Sequence, residues 1–153
     1  MILLDFLFGK SNKMKDDFFG TMNFIENKKY PENSYFECRR HFEPMNEFIE
    51  IGIDGDISGP TIEQKQFFKK IETEYNSIVN SISPVIEEEF RNWKEDFKIE
   101  NFKTRFRPVY LKLPRYNGKS MTWEIAFESD HDLNHTFTVS MNELKAKEVH
   151  IDG

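Results

Sequence analysis

"IDGDISGPTIEQK", residues 53–65, decides the fold, because it reads either as a calcium loop or as a strand turning into a helix. An EF-hand loop needs oxygen ligands at alternating positions, a glycine at the sixth and a bidentate glutamate at the twelfth. Asp54, Asp56, Ser58 and Gly59 satisfy the first half. The twelfth position from Asp54 is Lys65, a cation where the strongest anionic ligand belongs. The preceding residues, "NEFIEIGID", alternate Phe48 and Glu50 against Ile49, Ile51 and Ile53, which is the period of a strand. Asp and Gly then make a turn, Pro60 stiffens it, and Thr61 with Gln64 forms a capping box that opens a helix. Strand, turn and helix account for every residue of the stretch.

Working outward toward the N-terminus, "SYFECRRHFE" sets Phe36, Cys38, Arg40 and Phe42 on one face and Glu37, Arg39 and His41 on the other. "DFFGTMNFIE" reads as a strand before it, "NKKYPEN" as the turn between them, and "PMN" as the turn into the third strand. "GKSNKMKDD" reads as a flexible connector. "MILLDFLF" is short and interrupted by Asp5, so it is neither a membrane span nor a signal peptide, and we expect it to dock on the domain.

Toward the C-terminus, Ile62, Phe67, Phe68, Ile71, Tyr75, Ile78, Val79 and Ile82 form a helical apolar stripe. Ser83 and Pro84 suit the N-cap and first residue of a second helix, which carries Ile86, Phe90, Trp93 and Phe97. Strand periods return in "RPVYLKLP" (Val109, Leu111, Leu113), "TWEIAFES" (Trp123, Ile125, Phe127), "HTFTVSM" (Phe137, Val139, Met141) and the short "KEVHID". Each alternating strand has one wet face, so the pattern predicts an α+β domain over residues 1–153. Its antiparallel sheet has about seven strands, three before and four after two central helices packed on one face.

At 153 residues, 38% hydrophobic and 15% aromatic, the chain supports a substantial Phe-rich core. A net charge of −6 disfavours duplex nucleic acid, whose binding depends on neutralising phosphates, and suits a basic partner. The single cysteine cannot form an internal disulfide, and no secretory leader opens the chain, so the expected location is cytoplasmic.

Two clusters could carry chemistry. Asp130, His131, Asp132 and His135 in "SDHDLNH" offer metal-type ligands, but they join two strands, where Asp and Asn serve as turn formers. The run "KTRFRPVYLKLPRYNGK" interleaves cations with aromatics, as single-strand nucleic-acid platforms do. Arg105, Arg107 and Tyr110 are its candidate binding residues, and pairing with nearby carboxylates is the alternative. Glu124 and Glu128 on the wet face are candidates for steering a basic partner. Cys38 shares the phase of Phe36 and Phe42, which reads as a buried thiol and not as a nucleophile. No catalytic residue and no cofactor is assigned, since nucleotide, esterase and zinc-protease motifs are absent.

The central "GPTIEQKQFFKKIETEYNSIVNSISPVIEEEF", with the later "WEIAFES" and "HTFTVSM", resembles small uncharacterised bacterial α+β proteins, some of them immunity proteins of polymorphic toxin systems. The resemblance covers about two-thirds of the chain, rests on pattern and transfers no site residue. It implies a non-catalytic protein-interaction module that caps a toxin, with a basic toxin as partner. The alternative is a metal-dependent enzyme or small-ligand binder built on the 130–135 hairpin.

Overall fold

The computed structural model describes residues 11–153, so the apolar segment expected to dock at the N-terminus lies outside the described residues. Four strands come first: β1 (Ser11–Asp16), β2 (Gly20–Ile25), β3 (Tyr35–Phe42) and β4 (Glu47–Asp54). Helices α1 (Ile62–Thr73), α2 (Tyr75–Arg91) and the single turn α3 (Phe102–Arg105) follow. Then come β5 (Phe106–Leu113), β6 (Thr122–Ser129), β7 (Asp132–Asn142) and β8 (Lys145–Asp152). All eight strands lie in one sheet in chain order. Every neighbouring pair is antiparallel except β4 and β5, which run parallel because the helices carry the chain across between them.

The α+β class holds, but the sheet has eight strands where the sequence suggested seven. The connector "SNKMKD" is itself a strand, paired with β2 from Ser11 opposite Ile25 to Asp16 opposite Gly20. Asp16 makes the hairpin: its Oδ2 accepts from the backbone N–H of Phe18 and of Phe19, each at 2.9 Å, and Gly20 returns the chain at φ 78°. The other carboxylate oxygen lies 3.0 Å from Lys65 Nζ and ties the hairpin to α1.

One sheet face is apolar and carries both long helices. Phe42 meets Phe68 and Tyr75, Trp123 meets Phe67, and Phe137 stacks on Phe90. These side chains belong to one continuous buried cluster with Phe36, Ile51, Leu111 and Ile125. Ala146 on β8 donates its N–H to Ser81 Oγ at 2.8 Å, which holds the far edge under α2.

The helices divide at a different residue from the one the sequence suggested. α2 runs through Pro84 and the break falls at Glu74. Thr73 stands at the break, and its hydroxyl donates back to the carbonyls of Lys69 (3.0 Å) and Lys70 (3.2 Å), a bonding pattern that bends helices. Pro84 is tolerated on the exposed side, where the Asn80 carbonyl that loses its N–H partner faces water. Ile62 and Trp93, read as stripe residues, are 68% and 60% exposed; Trp93 and buried Phe97 lie beyond the end of α2.

The capping box is present as expected, and its glutamine does more than cap. Gln64 is fully buried. Its Oε1 accepts from Thr61 N–H at 2.9 Å, while its Nε2 donates to the carbonyls of Asp54 (2.8 Å) and Leu113 (3.2 Å). One side chain therefore joins the start of α1 to the carboxyl ends of both parallel strands.

We expect Gln64→Leu to destabilise the fold by about 2–4 kcal/mol, because it strands buried backbone groups without partners. Gln64→Glu should cost more, since a carboxylate would face two carbonyl oxygens. Urea denaturation checks both, and a Glu variant more stable than the Leu variant would contradict this account. Conversely, Pro84→Ala restores an interior helix bond and should raise stability by about 1–3 kcal/mol. The readout is a higher urea midpoint at an unchanged slope.

Candidate functional site: a tyrosine and carboxylate concavity on the open sheet face

Strand alternation sends the remaining side chains to the opposite face, away from both long helices. Across β3 and β4, Arg39 stands opposite Glu50, and their side chains pair at 3.3 Å. Across β5 and β6, Arg107 stands opposite Glu128 and pairs with it. Phe48, 60% exposed, packs edge-on against His41 and under the Arg39 guanidinium.

Between these two pairs lies the parallel seam. Glu50 is opposite Tyr110 there, and Gly52 is opposite Lys112. Tyr110 covers Gly52 so closely that a Cβ on Gly52 would sit 2.1 Å from the tyrosine hydroxyl. Only glycine leaves room for that ring.

Around this point Glu32, Asn33, Tyr35, Glu37, Gly52, Asp54, Tyr110 and Lys112 line a concavity of about 290 Å³. Its wall is the short helical turn Pro31–Asn33, which the backbone fastens in place. Gly55 N–H donates to the Ser34 carbonyl at 3.2 Å, and Ser34 Oγ accepts from Asn27 N–H at 2.9 Å. A second depression shares Glu32 and Asp54 and reaches Asp56 and Arg115, which pair at 2.8 Å.

Electrostatics follow from this enclosure. Burial first, and then the charges of Glu37, Asp54 and Glu124, push the Tyr110 phenol up to about 12, so it stays a neutral hydroxyl. Burial also raises the Asp54 carboxyl; Glu124 adds to the shift, and Lys112 and Arg115 oppose it. Burial raises Tyr35 too, with Glu37 beside it.

The residues singled out in the sequence are distributed as follows. Tyr110 and Glu124 come together beside the concavity. Arg105 pairs with Asp130 in the turn after β6 at 2.9 Å and Arg107 with Glu128 of β6, so neither is held by carboxylates of the preceding helix. Among the metal-type residues, Asp132 Oδ2 lies 2.5 Å from His135 Nδ1, and this pairing holds the Asp132 carboxyl below its usual range. Asp130 faces Arg105, and the His131 ring packs on Phe97 at 5.1 Å. Of the four, only Asp132 and His135 meet each other, and among the described residues no group of three or more His, Cys, Asp or Glu has metal-holding geometry.

The segment is the tight hairpin expected, with Ser129 opposite Asp132. Asp56, read as a turn former, accepts from Ser58 N–H at 2.8 Å. Cys38 is buried, and burial is the main cause that pushes its thiol up to about 12.

Sequence reasoning missed Tyr35 and Glu37 as site residues, saw Lys112 only as part of the basic run, and weighed Asp54 as a calcium candidate before reading it as a turn former. One signal was available: Gly52 interrupts an isoleucine strand, where glycine marks a close approach. Comparison with protein-family models, curated proteins and solved structures found no match. Among the described residues, no helix is long and apolar enough to cross a membrane.

A double-mutant cycle tests the Gly52 and Tyr110 contact. In the native chain Gly52→Ala should cost about 1–2 kcal/mol, because the ring must swing away. In a Tyr110→Ala background the same change should stabilise by about 0.5 kcal/mol, the ordinary advantage of alanine over glycine in a strand. Equal effects in both backgrounds would refute the contact.

Proposed function

We propose that this protein is a non-catalytic interaction module that binds a basic protein partner on the open face of its sheet. The observation that carries this reading is the composition of that face. It presents Phe48, Tyr35 and Tyr110 beside charged groups, and tyrosine, phenylalanine and arginine are the residue types enriched where proteins meet. Its carboxylates Glu37, Asp54 and Glu124 have no ion-pair partner among the described residues, whereas Glu50 and Glu128 are neutralised by arginines. An immunity-like inhibitor that caps a basic toxin is the biological role we assign to such a module.

Steering should therefore depend on the unpaired acids. Retrieval of the tagged chain from host lysate at low and moderate salt identifies the partner, which should appear at near-equal stoichiometry and be basic. With that partner, Glu124→Lys should slow association by about three- to tenfold at low salt, and by less as salt rises. Glu128→Lys also strands Arg107, so it probes the pair as well as the field. Association rates indifferent to Glu124 and to salt would remove the electrostatic mechanism, and an acidic partner would overturn the reading.

A further inference from the structure

The open face has a local imbalance that the general reading does not specify. Its arginines are already matched: Arg39 with Glu50, Arg107 with Glu128, and at the rim Arg115 with Asp56. The concavity at the parallel seam is different. Glu32, Glu37 and Asp54 line it and Glu124, opposite Lys112 across β5 and β6, stands close by; the cations near them are Lys112 and Arg115, and Arg115 is already matched with Asp56. None of Glu32, Glu37, Asp54, Glu124 and Lys112 forms an ion pair among the described residues. The negative charge therefore has too little internal compensation at a place where two phenol rings and a fastened turn enclose it.

We propose that the concavity is a receptor for one arginine side chain of the basic partner, an inference that rests on the function proposed above. A guanidinium suits the site on three counts. It is planar and attracted to the face of aromatic rings such as Tyr35 and Tyr110. It donates in a fork that one or two carboxylates can accept, and Glu37 and Asp54 supply them. It is also more weakly hydrated than an ammonium, so entry into a half-enclosed space costs it less. The Tyr110 hydroxyl, kept protonated, offers a further acceptor oxygen. The volume of about 290 Å³ holds a side chain and not a folded segment, so the rest of the partner rests on the flanking charged pairs and Phe48.

The full chain, labelled with nitrogen-15, is titrated by NMR with acetyl-arginine amide and with acetyl-citrulline amide, its uncharged counterpart. The arginine probe should move the amides of Tyr35, Gly52, Asp54 and Tyr110 at low salt, while citrulline binds at least about tenfold more weakly. Glu37→Gln and Asp54→Asn should each weaken arginine binding by about tenfold, and Lys112→Gln should strengthen it. Lys112 lies exposed on the surface, so its variant keeps the test decisive even if an Asp54 variant fails to fold.

Equal response to the two probes, shifts spread over the helix acids Glu88 and Glu89, or weaker binding in Lys112→Gln would overturn the receptor. A protein partner that binds Asp54→Asn and Glu37→Gln as tightly as the native chain would also overturn it, while leaving the interaction module intact. Arginine bound at the seam of a chain that retains no protein partner would overturn the module, and with it the partner as the source of the arginine, while keeping the guanidinium site.

Discussion

The buried amide of Gln64 is the constraint on which the rest of the architecture depends. A parallel strand pair in an otherwise antiparallel sheet needs a crossover, and the crossover must leave β4 and return to β5 at a fixed height. Gln64 sets that height by donating to the carbonyls of Asp54 and Leu113, the last residues of those strands, while it caps its own helix through Thr61. The buried polar groups at the strand ends and the helix start are thus satisfied by one side chain in an otherwise apolar layer. Because α1 begins at this point, its stripe of Phe67, Phe68 and Ile71 falls on Trp123 and Phe42 and does not point into solvent.

The same register builds the concavity. Asp54 is held by its carbonyl at the end of β4, so its carboxylate projects beside Gly52 and over the Tyr110 side of the seam. Tyr110 reaches that face because β5 is bulged between Pro108 and Tyr110. Phe106 and Pro108 face the core before the bulge, and Leu111 and Leu113 face it afterwards. The extra residue, Val109, therefore changes the phase and leaves Arg107 and Tyr110 on one face, where simple alternation would put them on opposite faces. Proline fits this position because it has no N–H to contribute to a regular ladder.

These details show how far a sequence can be read. The Thr61 and Gln64 box, the strand from Ile49 to Ile53 and the inward phase of Phe36, Cys38 and Phe42 depend on neighbours a few residues away, and they were legible. The β1–β2 hairpin was not, because its strand is lysine-rich with only Met14 turned to the core, and a weak edge strand resembles a linker. The contact of Gly52 with Tyr110 was also hidden. It joins residues more than fifty positions apart, and nothing local states that β4 pairs with β5. The helix break was misassigned because Pro84 is the more conspicuous residue, whereas the break at Glu74 follows Thr73, whose hydroxyl bonds back to the preceding turn.

The position of the unpaired charge follows from the strand pairing. On either side of the seam an arginine faces a glutamate in the facing strand, and such pairs hold register on a wet sheet face. At the seam the facing residues are Glu50 with Tyr110 and Gly52 with Lys112, so no arginine and glutamate face each other across it. The sheet's outer strands are less suited to contact, since β1 carries Lys13 and Lys15 and β8 carries Lys145, Lys147 and Glu148, the kind of charged edge that resists strand addition. Edge pairing is thereby disfavoured at both ends. The middle of the open face combines enclosure, aromatic surface and unmatched acid, and contact with a basic surface is the arrangement that would supply its missing counter-charge.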